Sequence, residues 1–130
     1  MFTYFLVALG SGLGGLARFA ISGCVARQWG ETLPWGTLLV NVSGSFLIGF
    51  FATLTEPGGR VFVSGHGRQF FMTGLMGGYT TFSSFSLQTL TLARDGQWLH
   101  AGANSVASLV LCLVAVWLGH VSAAALTARH

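Results

Sequence analysis

The sequence predicts an all-α membrane protein with four transmembrane helices, the third of which is broken near its middle. Of the 130 residues, 52% are hydrophobic and 7% are charged, which is typical of membrane proteins. Four apolar runs each reach the ~20 residues that a spanning helix needs, and they cover approximately residues 2–25, 33–55, 70–93 and 99–126. The third run contains Gly77, Gly78, Thr80 and Thr81, which together loosen a helix.

The connections between these runs are short, so we expect one membrane domain over residues 1–130, with the lipid bilayer as its surroundings. The basic pI of about 9.5 does not indicate nucleic acid. The chain has no lysine, and its six arginines are scattered along the sequence instead of forming a patch. We therefore expect no nucleic-acid partner.

The first run carries a small-residue face that ends in a charge. Gly10, Gly14 and Arg18 recur every four residues, and such a face lets another helix approach closely. Arg18 has two interpretations. Its side chain either reaches the membrane interface or a structural partner, or it lies inside as a cation that raises the local potential for an anion.

The second run begins with helix-start signals and then carries a polar stripe. Thr32 and Pro34 suit a cap and a first turn, and Trp35 suits the interfacial aromatic belt. The stripe has four-residue spacing and consists of Thr37, Asn41 and Ser45. An amide in hydrocarbon must find partners, so Asn41 is either a bond between helices or a donor to a passing anion.

The third run is the centre of the prediction, because carbonyl groups freed at bilayer depth must be satisfied by protein, an ion or trapped water. An ion site at the break is therefore the first hypothesis. Directly after the break, Phe82 and Phe85 are three residues apart and share one helical face. Serines lie between and beyond the two rings, namely Ser83, Ser84 and Ser86.

The fourth run has aromatic anchors and a second, weaker polar stripe. Trp98 and Trp117 would lie roughly 28 Å apart along a helix, close to the thickness of the hydrocarbon core. The stripe consists of Asn104, Ser108 and Cys112. We expect His120 at the membrane interface and His66 in a solvated loop between the second and third runs.

Acidic residues are missing from all four runs, since Glu31, Glu56 and Asp95 lie in the connections. Proton transport by a buried acid is therefore disfavoured. The sequence also has no Cys and His cluster with metal-ligand spacing, no phosphate loop and no nucleophile beside a base. We predict that the protein is not an enzyme.

Arginine counts barely favour one orientation in the membrane. The two ends and the middle connection share one side and carry Arg60, Arg68 and Arg129, whereas the other side carries Arg27 and Arg94. Such a chain could insert both ways, and two copies in opposite orientations could pair. Four short helices do not easily enclose a polar path, so the two stripes also predict an oligomer.

The residues match a known family at three motifs: Gly12-x-Gly-Gly-x-x-Arg18, Trp35-Gly-Thr-x-x-x-Asn41-x-x-Gly-Ser-Phe-x-x-Gly49 and Gly74-x-x-Gly-Gly-x-Thr-Thr-Phe-Ser-x-Phe85. The sequence resembles the Fluc (CrcB) family of fluoride channels. The resemblance implies a multi-pass protein of the bacterial inner membrane that exports fluoride and relieves its toxicity. It further implies an antiparallel, dual-topology homodimer with two fluoride pathways and a central structural sodium ion that is not transported.

The resemblance also assigns site residues. The fluoride pathway would contain the family's phenylalanine pair, its pore asparagine and the adjacent hydroxyls, which correspond to Phe82, Phe85, Asn41, Ser83 and Ser84. We add one polar residue from each stripe to this predicted pathway, Thr37 and Ser108. The sodium ion would be bound by the backbone carbonyls of Gly77 and Thr80. A phenyl edge is electropositive and suits an anion, whereas carbonyl oxygen suits a hard cation.

The alternative function is a small dual-topology multidrug transporter, which is similar in size and layout. That class is expected to carry a carboxylate in its first helix, and this chain has Arg18 there.

Overall fold

The structure, a computed structural model, describes residues 1–30 and 33–128. These residues form helices and no strands. The elements in chain order are α1 (Phe2–Trp29), α2 (Trp35–Leu54), α3 (Gly65–Gln69), a π-helical segment (Phe70–Met76), α4 (Gly77–Tyr79), α5 (Phe82–Arg94) and α6 (Trp98–Ala128). Three of them, α1, α2 and α6, are long and apolar enough to cross a membrane. The protein is therefore an all-helical, multi-pass membrane protein.

Several helix ends differ from the sequence-based boundaries. The first helix continues to Trp29 and ends at Gly30, whose φ of 80° is one that glycine adopts at little cost. Pro34 occupies the position just before α2 instead of lying in its first turn. The connection before the third run is shorter than predicted, because helical structure already begins at Gly65. The predicted cap Thr32, like Glu31 and Arg129, lies outside the described residues.

Glycines set the packing between α1 and the beginning of the third run. A Cβ on Gly10 would lie 2.7 Å from the Phe70 carbonyl oxygen, and a Cβ on Gly14 would lie 2.7 Å from the Tyr79 nitrogen. Real side chains do not fit at such separations, so the two backbones are in direct contact, as the small-residue face of α1 predicted.

The helices α2 and α6 pack in the same way. Gly49 abuts the backbone of Val116, and a Cβ on Gly119 would lie 2.8 Å from the Phe50 nitrogen. A hydrogen bond of 2.7 Å joins Thr53 Oγ1 and His120 Nδ1 near the ends of the two helices. The exposed His120 side chain is therefore also a contact between α2 and α6.

Two arginines from the connection between the second and third runs donate hydrogen bonds to helix ends at this end of the bundle. Arg60 donates to the Leu126 carbonyl oxygen at 3.2 Å, and Arg68 donates to the Ala52 carbonyl oxygen at 3.3 Å. Both acceptors lie in the last turns of their helices, where carbonyl groups lack helical donors and cations are favoured. His66 is exposed, as expected, and joins this end to α1 through a 2.7 Å hydrogen bond with Thr3.

The helix break and the candidate ion site

The third run is interrupted at Thr80 and Thr81, which have extended backbone conformations with φ and ψ of −83° and 157°, and −150° and 111°. The interruption lies beside the middle of both neighbouring long helices. On one side the Tyr79 backbone touches Gly14 of α1, and on the other the Thr80 methyl group touches Gly44 of α2. The break is therefore close to half-way along the helices that cross the membrane.

The two glycines before the break have a different role from the predicted one. Gly77 and Gly78 stay within α4, and Gly77 has the helical angles −62° and −38°. Gly78 is needed for close approach, because a Cβ there would lie 2.8 Å from the Cα of Ser11. The predicted interruption is present, but it falls at Thr80 and Thr81 and leaves the two glycines within α4. The irregularity upstream is the π-helical segment Phe70–Met76.

Asn41 of α2 holds the broken backbone with two hydrogen bonds. The Thr81 N–H donates to Asn41 Oδ1 at 2.7 Å, and Asn41 Nδ2 donates to the Thr81 carbonyl oxygen at 3.0 Å. The amide therefore takes the place of the helical partners that Thr81 has lost. Of the two interpretations of Asn41, the bond between helices is present, and one N–H of its amide group remains for a further acceptor.

The same contacts release particular carbonyl groups. In a continuous helix the Thr81 N–H would donate to the Gly77 carbonyl, but it donates to Asn41 instead. The Thr80 carbonyl would accept from the Ser84 N–H, which donates to the Thr81 side-chain oxygen at 3.1 Å. Gly77 and Thr80 thus each present a carbonyl oxygen whose helical donor is engaged elsewhere. Such oxygens are ligands that suit a hard cation.

Arg18 provides a hydrogen-bond donor to a third carbonyl group near the break. Its Nε donates to the Gly78 carbonyl oxygen at 3.2 Å, and the residue is half-buried. The side chain therefore has a structural partner inside the protein, which was one of the interpretations from the sequence.

A cavity of about 280 Å³ lies against the break and opens to the outside of the chain. It is lined by α2, by the π-helical segment and α4, and by the start of α5. Four of the predicted site residues meet there: Asn41, Gly77, Thr80 and Phe82. The carbonyls proposed for a cation and the first ring proposed for an anion are thus neighbours.

The predicted phenylalanine pair lies at the start of α5. The ring centroids of Phe82 and Phe85 are 5.4 Å apart and the rings are tilted by 54°. Phe82 is 78% exposed in the single chain, whereas Phe85 is half-buried. The Ser83 hydroxyl lies 3.2 Å from that of Thr81, so a hydroxyl pair adjoins the exposed ring.

Comparison with known proteins identifies the family. The family described as "CrcB-like protein, Camphor Resistance (CrcB)" matches residues 5–120. The chain belongs to this family. It is 66% identical over 126 residues to a protein of Opitutus terrae named "Fluoride-specific ion channel FluC", covering 97% of this chain and 96% of that protein.

Two further relatives of this CrcB-like chain have the same name. The protein of Rhodospirillum rubrum is 62% identical, covering 93% of this chain and 94% of its own length. The protein of Paramagnetospirillum magneticum is 61% identical, covering 95% and 96%. All three names describe an ion channel, and they give no support to the multidrug-transporter alternative.

The two polar residues that we added from the stripes lie away from the break in this CrcB-like chain. Thr37 is buried and lines a larger cleft of about 610 Å³ between α1, the start of α2 and α5. Ser108 is a buried residue of α6. Its hydroxyl donates to Asn104 Oδ1 at 3.4 Å, and Asn104 Nδ2 donates to Thr89 Oγ1 at 2.9 Å. Ser108 thus belongs to a hydrogen-bond chain that joins the last two helices.

Gln88 was missed by the sequence reasoning. It lines the larger cleft together with Thr37, and its buried Oε1 has no hydrogen-bond partner among the described residues. The signal was available, because Phe82, Phe85 and Gln88 follow each other at three-residue spacing along one face of α5.

Proposed function

We propose that this protein is a fluoride-selective ion channel that exports fluoride across the bacterial inner membrane and so relieves fluoride toxicity. The observation that carries the proposal is the junction of two helix ends at mid-depth. Residues 65–79 end there with free carbonyls, and α5 begins there with the phenylalanine pair. The names of the relatives support fluoride as the ion.

The polarity of the two helix ends supports a separation of cation from anion. The C-terminal end of a helix carries partial negative charge and its N-terminal end partial positive charge. A cation is therefore favoured at the Gly77 and Thr80 carbonyls, and an anion beside the first turn of α5. Broken membrane helices bind ions by the same arrangement.

Fluoride is small and strongly hydrated, so a pathway must replace its water with other donors while binding it weakly enough for release. The electropositive edges of Phe82 and Phe85 and the hydroxyls of Ser83 and Ser84 would provide such contacts. Asn41 has a remaining amide N–H near the same cavity. This is conduction past fixed groups, and we propose no enzymatic activity.

We further propose four membrane crossings and an antiparallel homodimer. Three of these crossings would be α1, α2 and α6. Residues 65–79 and α5 would together form the fourth. The exposed Phe82 ring and the open cavity beside it support a partner at this surface. The even arginine distribution supports two copies in opposite orientations.

Topology reporters fused to the C-terminus test the dual orientation, and we expect label on both sides of the membrane. Two or three additional arginines in the connections of one side should force a single orientation and abolish flux. An oppositely biased copy should restore it. Labelling on one side only would contradict the proposal.

We propose a structural sodium ion at the dimer centre, bound by the Gly77 and Thr80 carbonyls of both copies. Bound sodium would supply the positive charge that balances these oxygens. The diverted Thr81 and Ser84 donors support the fit, since they leave these two carbonyls available. Replacing sodium with a large organic cation during purification and assay should lower fluoride flux. Unchanged flux would contradict the site.

Fluoride efflux from liposomes that contain the purified chain tests the function itself. We expect flux from the wild type and a drop of at least about tenfold in Phe82→Ile and Phe85→Ile. The control is Phe5→Ile, which alters an exposed ring on α1. Absence of fluoride flux in the wild type would contradict the function. Normal flux in both α5 variants, with the dimer intact, would contradict the pathway.

A further inference from the structure

Arg18 is the one charged residue inside the four apolar runs, and those runs contain no carboxylate to pair with it. A guanidinium group is costly at bilayer depth unless it is paired or faces the protein interior. Here the partner is a backbone carbonyl, since Nε donates to the Gly78 oxygen at 3.2 Å. In a continuous helix that oxygen would accept from the Phe82 N–H. Arg18 therefore replaces a donor that the break has removed.

The contact is built into the packing of α1. The Ser11 backbone lies against Gly78, and Gly14 lies against the Tyr79 nitrogen, so no side chain separates the two helices there. Arg18 is one helical turn further along the same face of α1 than Gly14. The close contact between the two backbones thus holds the Arg18 guanidinium next to the Gly78 carbonyl.

The Gly78 carbonyl is adjacent in the chain to the Gly77 carbonyl, which we proposed as a sodium ligand. The two carbonyls flank the same Cα atom, so fixing one restricts the orientation of the other. We propose that Arg18 is a positioning residue for the sodium site: by holding the Gly78 carbonyl, it keeps the Gly77 carbonyl directed at the ion. This inference rests on the proposed sodium site.

Two effects of Arg18 on sodium have opposite signs. As a nearby cation it repels sodium, so its removal would strengthen binding. As a donor that orders the end of α4 it supports the ligand geometry, so its removal would weaken binding. The positioning effect is the larger one in our proposal. The charge is already offset by the carbonyl it contacts and by the negative end of the helix, whereas a freed Gly78 carbonyl at bilayer depth would turn toward any available donor.

Sodium-dependent thermal stability of the purified dimer tests this without any fluoride measurement. The unfolding midpoint is followed over a range of sodium concentrations, with choline as the replacing cation. The variants are Arg18→Met, Arg18→Lys and the control Arg27→Met, which removes an exposed arginine from the last turn of the same helix. A hydrogen bond to a charged group is worth enough for about a tenfold change in affinity.

We expect the half-stabilising sodium concentration to rise about tenfold in Arg18→Met and by a smaller factor in Arg18→Lys, and to stay unchanged in Arg27→Met. If Arg18→Met does not fold, Arg18→Lys decides, and a rise supports the proposal. An unchanged or lower concentration in the Arg18 variants, with sodium still stabilising the wild type, would overturn the positioning role alone. A wild-type dimer that sodium does not stabilise would overturn the sodium site together with this inference.

Discussion

The two halves of the third run are held in different ways. The proximal half, residues 65–79, lies directly against α1, with Gly74 and Gly78 touching the backbones of Val7 and Ser11. The distal half, α5, is joined to α6 by the Asn104 hydrogen bond to Thr89, and it leaves Phe82 mostly exposed. One half is locked by backbone contact, and the other presents side chains.

This difference gives the proximal half a structural role and leaves the proposed fluoride pathway to the distal half. Backbone contact through glycine tolerates no added atom, so the proximal half is held against α1 as a unit, while Arg18 holds the Gly78 carbonyl at its end. The distal half needs only a capped start, which the Thr81 side chain provides by accepting from the Ser84 N–H. Substitutions in the proximal contact should therefore lower the stability of the fold, whereas substitutions near the start of α5 should act on flux.

The largest effect is expected for Gly14→Ala. Its added Cβ would collide with the Leu75 carbonyl oxygen and lie 2.7 Å from the Tyr79 nitrogen. Backbone cannot move aside as a side chain can, so the cost should reach or exceed the ~1–3 kcal/mol typical of overpacking. Gly12→Ala is the control, because a Cβ there meets nothing within 4 Å. Thermal unfolding of both purified variants is the measurement, and equal stabilities would show that the contact is not tight.

An intermediate effect is expected for Asn41→Ala, which removes both hydrogen bonds to Thr81. At about 1 kcal/mol each, their loss should leave a folded dimer and cut fluoride flux by about tenfold or more. Asn41→Asp could still accept from the Thr81 N–H, but it would oppose the Thr81 carbonyl with a negative charge and repel an approaching anion. We therefore expect it to reduce flux as well.

Ser45→Ala is the matched control for Asn41, since Ser45 lies one turn further along the same stripe and lines the same cavity. Flux and dimer stability are measured together for all three variants. Wild-type flux in both Asn41 variants would mean that the junction tolerates movement and that the amide is dispensable.

The smallest effect is expected for Ser108→Ala. Its hydroxyl makes one long hydrogen bond of 3.4 Å to Asn104, and the residue is buried. Fluoride flux should stay within about twofold of the wild type, and stability should fall by less than about 1 kcal/mol. A large loss of flux with unchanged stability would return Ser108 to the pathway, as its place in the polar stripe first suggested.

The sequence by itself determined the membrane class, the long apolar helices and the family. These depend on hydropathy, spacing and motifs, which are local properties of the chain. It also located an interruption in the third run, because two threonines beside glycines and serines are unusual in an apolar segment. The family resemblance, confirmed by the match over residues 5–120, named the candidate residues at the break.

Only the tertiary structure decided what those residues contact. Asn41 and Thr81 are forty positions apart, and Arg18 and Gly78 are sixty apart, so no local pattern could pair them. The sequence did not predict the contact of Gly78 with α1 for the same reason, since the Ser11 backbone beside it is distant along the chain. Which carbonyl loses its donor depends on where a distant side chain reaches, and that is fixed only when the helices pack.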